Sequence, residues 1–171
     1  MSLKDWVVHL LSSSPLETFQ VYSDGFSLDS PISNELWSQL ILTHGKRLLR
    51  ISVHRMLISW EAIHSICVQC TKLEELFLHV DPDLLVRRLI YKNLVILKKN
   101  HAQNKLGSCL SFAKALRTIH INYPMGAAGN SSPVLPQTEA LSILNQCSPT
   151  VTQVGCNTRV WEVSFSLGKC S

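Results

Sequence analysis

The stretch Leu73-Glu74-Glu75-Leu76-Phe77-Leu78 sets apolar residues at its first, fourth and sixth positions. Leu76 and Leu78 stand two apart, the spacing of one face of a β-strand. The pattern recurs as Leu16-Glu17-Thr18-Phe19-Gln20-Val21, as Leu48-Leu49-Arg50-Ile51-Ser52-Val53 and as Leu116-Arg117-Thr118-Ile119-His120-Ile121. Val151-Thr152-Gln153-Val154-Gly155-Cys156 is a fifth, weaker copy. A short pattern returning along one chain signals a repeat architecture, in which a single unit cannot bury its own apolar face.

Each copy follows a segment with helical spacing. Ser33 or Asn34 can cap a helix with Leu36, Trp37, Leu40 and Ile41 on one side, and Gly45 is expected as its left-handed C-terminal residue. Ser59 can cap a second helix with Ile63, Ile66, Cys67 and Cys70 on one stripe. Thr138 can cap another with Leu141, Leu144 and Cys147, ended by Pro149. Before the first copy, Leu3, Trp6, Val7 and Leu10 lead to Pro15. After the fifth, Trp161, Val163 and Phe165 alternate with polar residues, and the gap is too short for a parallel crossover. An antiparallel strand that covers the last open edge is expected there.

The first residues of successive copies lie 32, 25, 43 and 35 apart. Loops around Ser23-Asp24-Gly25 and from Pro124 to Pro136 account for the first and last excess. In the 43-residue gap, the 20 residues from Val86 to Lys105 are the surplus over a normal unit. They carry six basic residues and no acidic one; the net charge of +4 therefore becomes −2 for the rest of the chain. The expectation is a basic insertion or disordered loop at 86–105, translated intron sequence being one source. A real helical excursion through Leu89, Ile90, Leu94 and Leu97 is the alternative.

With 171 residues, 46% hydrophobic and 16% charged, the chain is not of the disordered class, and one domain over 1–171 is expected. Six cysteines are too few for a disulfide scaffold. No apolar run reaches the ~18 residues of a membrane span, and the N-terminal stretch lacks a signal-peptide pattern. A cytoplasmic or nuclear setting with free thiols follows as the expectation.

Helix, turn, strand and loop in succession resemble the leucine-rich repeat. The run from Ala62 to Leu78 is similar to its cysteine-containing type, and the run from Ser148 to Trp161 is similar to the C-terminal end of fungal F-box-like proteins. The resemblance implies an α/β leucine-rich-repeat solenoid of about five turns. Its parallel strands would lie on the concave side and its helices on the convex side, closed by the antiparallel cap strand. It further implies a protein-binding module that selects the substrate of an F-box-type ubiquitin ligase receptor. Skp1 and cullin are expected partners only if an F-box lies upstream of Met1, since the sequence opens on what reads as a repeat helix. A scaffold or fragment with no ligase role is the second reading, and nucleic-acid binding through the basic segment the third.

No catalytic residue, cofactor or metal site is expected. Cys67-Val68-Gln69-Cys70 is one CxxC without a second pair, at a helix end where the repeat wants core residues. The seven histidines form no HExxH pair. Gly126-Ala127-Ala128-Gly129 lacks the Lys-Ser/Thr of a phosphate loop. The basic segment offers one tyrosine, Tyr91, which is thin for base stacking, so nucleic acid is not an expected partner.

The candidate binding residues are those that alternate with the core positions. They are Thr18, Gln20 and Tyr22; Arg50, Ser52 and His54; Glu75, Phe77 and His79; and Thr118, His120 and Asn122. Their register gathers them on one concave sheet face, where an exposed aromatic beside an arginine is a typical interface anchor.

Overall fold

Each six-residue copy becomes a short strand because its alternating apolar positions need one covered face. The computed structural model describes residues 14–22, 34–80, 106–122 and 137–162. It contains β1 (Thr18–Tyr22), β2 (Arg50–His54), β3 (Glu75–His79), β4 (Thr118–Asn122), β5 (Gln153–Cys156) and β6 (Arg159–Glu162). They form one six-stranded sheet in chain order. The first five strands run parallel, and β6 returns antiparallel to β5. Among the described residues the helices are α1 (Asn34–His44), α2 (Trp60–Gln69) and α3 (Gln137–Gln146), with residues 106–110 helical as well.

The pairing sets like positions side by side. Phe19 pairs with Ile51, Ile51 with Leu76, Leu76 with Ile119 and Ile119 with Val154. β4 keeps this register although its copy starts 43 residues after that of β3. A backbone device repeats with it. The Glu17 carbonyl accepts from the Leu49 and Arg50 N–H groups, and the Leu49 carbonyl from Glu74 and Glu75. The Glu74 carbonyl accepts from Arg117 and Thr118, and the Arg117 carbonyl from Thr152 and Gln153. The second residue of each of the first four copies thus clamps the start of the next strand.

The apolar faces of sheet and helices meet in one core. Leu48, Ile51, Val53, Leu73, Leu76, Leu78, Leu116, Ile119 and Ile121 are wholly enclosed, together with Trp37, Leu40, Ile63 and Ile66 from α1 and α2. Cys67 and Cys70 complete the α2 stripe, as their spacing predicts. Ser59 caps α2, its Oγ accepting from the Ala62 N–H at 3.2 Å. The same hydroxyl donates to Asn34 Oδ1 at 2.7 Å, tying the starts of α1 and α2 together. β6 covers the β5 edge and packs Trp161 against the core.

Three local expectations need correction. Gly45 is not left-handed; a Cβ there would come within 2.5 Å of the Ile41 carbonyl oxygen, so close approach of the chain is what calls for glycine. Thr138 lies inside α3 and not at its cap, because the helix already includes Gln137. α3 buries Ala140 and Ile143 while Leu141 is 46% exposed, so its inward face is rotated by one residue from the predicted stripe. The lead-in before Pro15, the loops at 23–25 and 124–136, the segment 86–105, and Val163 and Phe165 lie outside the described residues.

Candidate functional site

Alternation sends the odd positions of each strand to the face opposite the core, and parallel register stacks them into rows across the sheet. The lower row begins Thr18, Arg50, Glu75, Thr118 and Gln153, and the middle row Gln20, Ser52, Phe77, His120 and Gly155. Tyr22 pairs with His54 at the upper end, and His79 with Asn122. All twelve residues predicted from the repeat are therefore brought onto one face, though unequally presented. Thr18, Gln20, Tyr22 and Arg50 are exposed, while His54, Glu75, Phe77, Thr118, His120 and Asn122 are half-buried. Ser52 and His79 are only 5% and 7% exposed, so they sit within the row and do not face solvent.

A chain of contacts crosses three strands. Arg50 Nε meets Glu75 Oε2 at 2.8 Å, and its guanidinium lies 5.2 Å from the Phe77 ring centre. Phe77 stacks on His120, with centroids 5.7 Å apart and planes 16° from parallel. His120 Nε2 stands 2.9 Å from the Asn157 carbonyl oxygen. A carbonyl can only accept, so this nitrogen carries the proton and donates. Asn157 reaches that place from the β5–β6 turn with φ of 50°, a left-handed conformation that Asn tolerates well. Gly155, beneath the imidazole, leaves the space that the ring occupies: a Cβ there would collide with His120 Nδ1.

The Arg50–Glu75 pair is about half exposed, so it contributes at most ~1 kcal/mol to folding, and the cation–π contact a similar amount. Such a row adds little to stability; its effect is to hold an arginine and an aromatic ring in fixed positions. Fewer rotamers are then lost when a partner covers them. At the upper end Arg55 lies 5.9 Å from the Tyr22 ring, and Tyr22 stands beside His54, 6.2 Å between centroids. His54 Nε2 and Ser52 Oγ hydrogen-bond at 2.6 Å. His79 Nε2 is buried without a hydrogen-bond partner, and burial, with the charges of His54 and Arg55, pushes this histidine below its ordinary value.

On the helix side, spacing alone did not foresee that four thiols gather. Cys67 donates to Cys109, which raises Cys67 and lowers Cys109, while burial adds to the first shift and opposes the second. Burial pushes Cys70 up to about 11, and burial together with the Cys109 charge pushes Cys147 up to about 12. A raised thiol stabilises the fold below the unfolded-chain value near 9. That contribution is lost as pH climbs from there through the folded-state value. Stability is therefore expected to hold steady to about pH 8.5 and to fall beyond it. At neutral pH, iodoacetamide mapped by mass spectrometry should leave Cys67, Cys70 and Cys147 unmodified until denaturant is added. Fast labelling of Cys70 in the native protein would contradict its place in the core. Among the described residues no group of three or more His, Cys, Asp or Glu side chains is arranged to hold a metal ion.

No protein-family model matches the chain, and no curated protein matches it. Among the described residues no helix is long and apolar enough to cross a membrane.

Proposed function

We propose that the chain is a non-catalytic protein-binding module, a leucine-rich-repeat solenoid whose open sheet face takes a protein partner. The observation that carries this reading is the Arg50–Phe77–His120 row, held in place from both ends by Glu75 and the Asn157 carbonyl. The recurring carbonyl clamp at Glu17, Leu49, Glu74 and Arg117 supports equivalence of the units. Equivalent units joined by equivalent bonds favour a regular coil with strands inside the curve, and solenoids commonly bind on that side. Arginine and aromatic anchors in a pre-positioned row suit a protein surface better than a small molecule. The substrate-selecting part of an F-box-type ubiquitin ligase receptor is the role we infer from the resemblance of the repeats.

The test is affinity capture from cell lysate with the full chain and with an Arg50→Glu, Phe77→Ala variant. Loss of a hot-spot anchor costs ~2 kcal/mol, so partners held by this face should bind about 30-fold more weakly to the variant. Circular dichroism verifies that the variant is folded. Skp1 and cullin among the captured proteins support the ligase role, and other variant-sensitive proteins alone support the scaffold reading. A bound set unchanged by the double substitution overturns the assignment to this face. Salt-sensitive capture of RNA or DNA points instead to the basic segment.

A further inference from the structure

The two ends of the sheet are finished differently. At one end β6 pairs with β5, and Val154 and Cys156 are fully enclosed. At the other, β1 is the outermost strand among the described residues. Leu16, Phe19 and Val21 there are only half-buried, while their counterparts Leu48, Ile51 and Val53 are wholly enclosed. Among the described residues nothing closes the core beyond β1.

No described strand pairs with the outer edge of β1. The Arg50 N–H donates to the Glu17 carbonyl, and in a parallel ladder this commits Glu17, Phe19 and Val21 to β2. The N–H and C=O groups of Thr18, Gln20 and Tyr22 therefore point away from the sheet. Natural sheets guard such an edge with charge, proline or a bulge. β1 reads Thr-Phe-Gln-Val-Tyr, with neither charge nor proline, whereas β6 carries Arg159 and Glu162.

We propose that two copies of the chain associate through β1, the two strands pairing antiparallel about a two-fold axis at Gln20. The pattern is self-complementary about that residue. Gln20 faces Gln20 of the partner subunit, and Thr18 faces Tyr22 of the partner subunit. These are the residues with outward N–H and C=O groups, and hydrogen-bonded pairs of an antiparallel ladder fall on alternate residues. Phe19 then stands opposite Val21 of the partner subunit on the core side, which covers both half-open cores. The two-fold arrangement closes on itself, whereas β1 against β6 would run on into a filament and meet the β6 charges.

Sedimentation velocity on the full chain over roughly 1–100 µM tests this. Twice the chain mass is expected. Gln20→Pro removes an N–H that the β1–β2 ladder does not use, so the fold is expected to persist and the dimer to weaken about tenfold or more. Gln20→Lys, on the exposed face, sets two like charges directly opposite each other and should act in the same direction even if the proline variant misfolds. Val160→Lys on β6 should leave the mass unchanged. A monomer throughout, a dimer that survives Gln20→Lys, or a dimer broken by Val160→Lys would each overturn the proposal.

Discussion

Replacing Leu76 with alanine is expected to lower the free energy of unfolding by about 3–5 kcal/mol. Leu76 is at the middle of β3, wholly enclosed, with Ile51 on one side and Ile119 on the other in the same inward row. Its in-register neighbours on both flanking strands cannot move in without giving up their own places in the ladder. A cavity at such a site relaxes poorly, which puts the cost toward the upper end of the range for leucine. Leu16, the first-position residue of the first copy and the counterpart of Leu73, is only half-buried at the outermost strand among the described residues. The Leu16→Ala cost is expected to be about half that of Leu76→Ala, since less apolar surface returns to water. Urea unfolding of the two variants measures both. Equal costs would mean that the β1 end is as tightly packed as the centre.

What the residues disclosed in advance follows the length scale of each feature. Strand positions repeat every two residues and were marked five times over by apolar-x-x-apolar-x-apolar, so all five strands lie where the pattern places them. The antiparallel β6 was legible because two residues, Asn157 and Thr158, cannot span a parallel crossover. The inward face of α3 lies one residue away from the stripe that its spacing predicts. A 10-residue helix spans under three turns, and Ala140 and Ile143 compete with Leu141 for the inward stripe on nearly equal terms. At Gly45 the residue was right and the reason different, since close approach to a carbonyl leaves the same signature as a left-handed turn.

The face itself was legible as a set, because alternation assigns its members; its internal geometry was not. Nothing in the order of residues says that Ser52 and His79 are enclosed, or that Phe77 lies between a guanidinium and an imidazole. Those facts depend on side chains from three strands meeting across the sheet. The same holds for Cys67 and Cys109, 42 residues apart in the chain. One signal was available: aligning the copies sets Gly155 in the column of Gln20, Ser52, Phe77 and His120. A missing side chain beside a histidine marks the place where that ring lies.

That column makes Gly155→Ala the most informative single change on the face. The added methyl would meet the His120 ring at Nδ1, and Gly155 is in β5, paired with His120 on one side and Val160 on the other. The strand cannot retreat without loosening both ladders, so the ring must move. Overpacking of this kind costs about 1–3 kcal/mol. The displaced imidazole would also lose its bond to the Asn157 carbonyl and its stack on Phe77. His120→Ala removes the collision in advance, so the double variant is expected to lose less than the two single costs added together, by about 1–2 kcal/mol. Strict additivity in urea unfolding would show that the ring does not need the space above Gly155. The functional consequence is separable from stability. If Phe77 is held for a partner by the ring beside it, Gly155→Ala should weaken capture although residue 155 is itself enclosed, and His120→Ala should weaken it equally without the steric conflict. A variant that destabilises the chain yet leaves capture intact would mean that the stack orders the sheet and nothing beyond it.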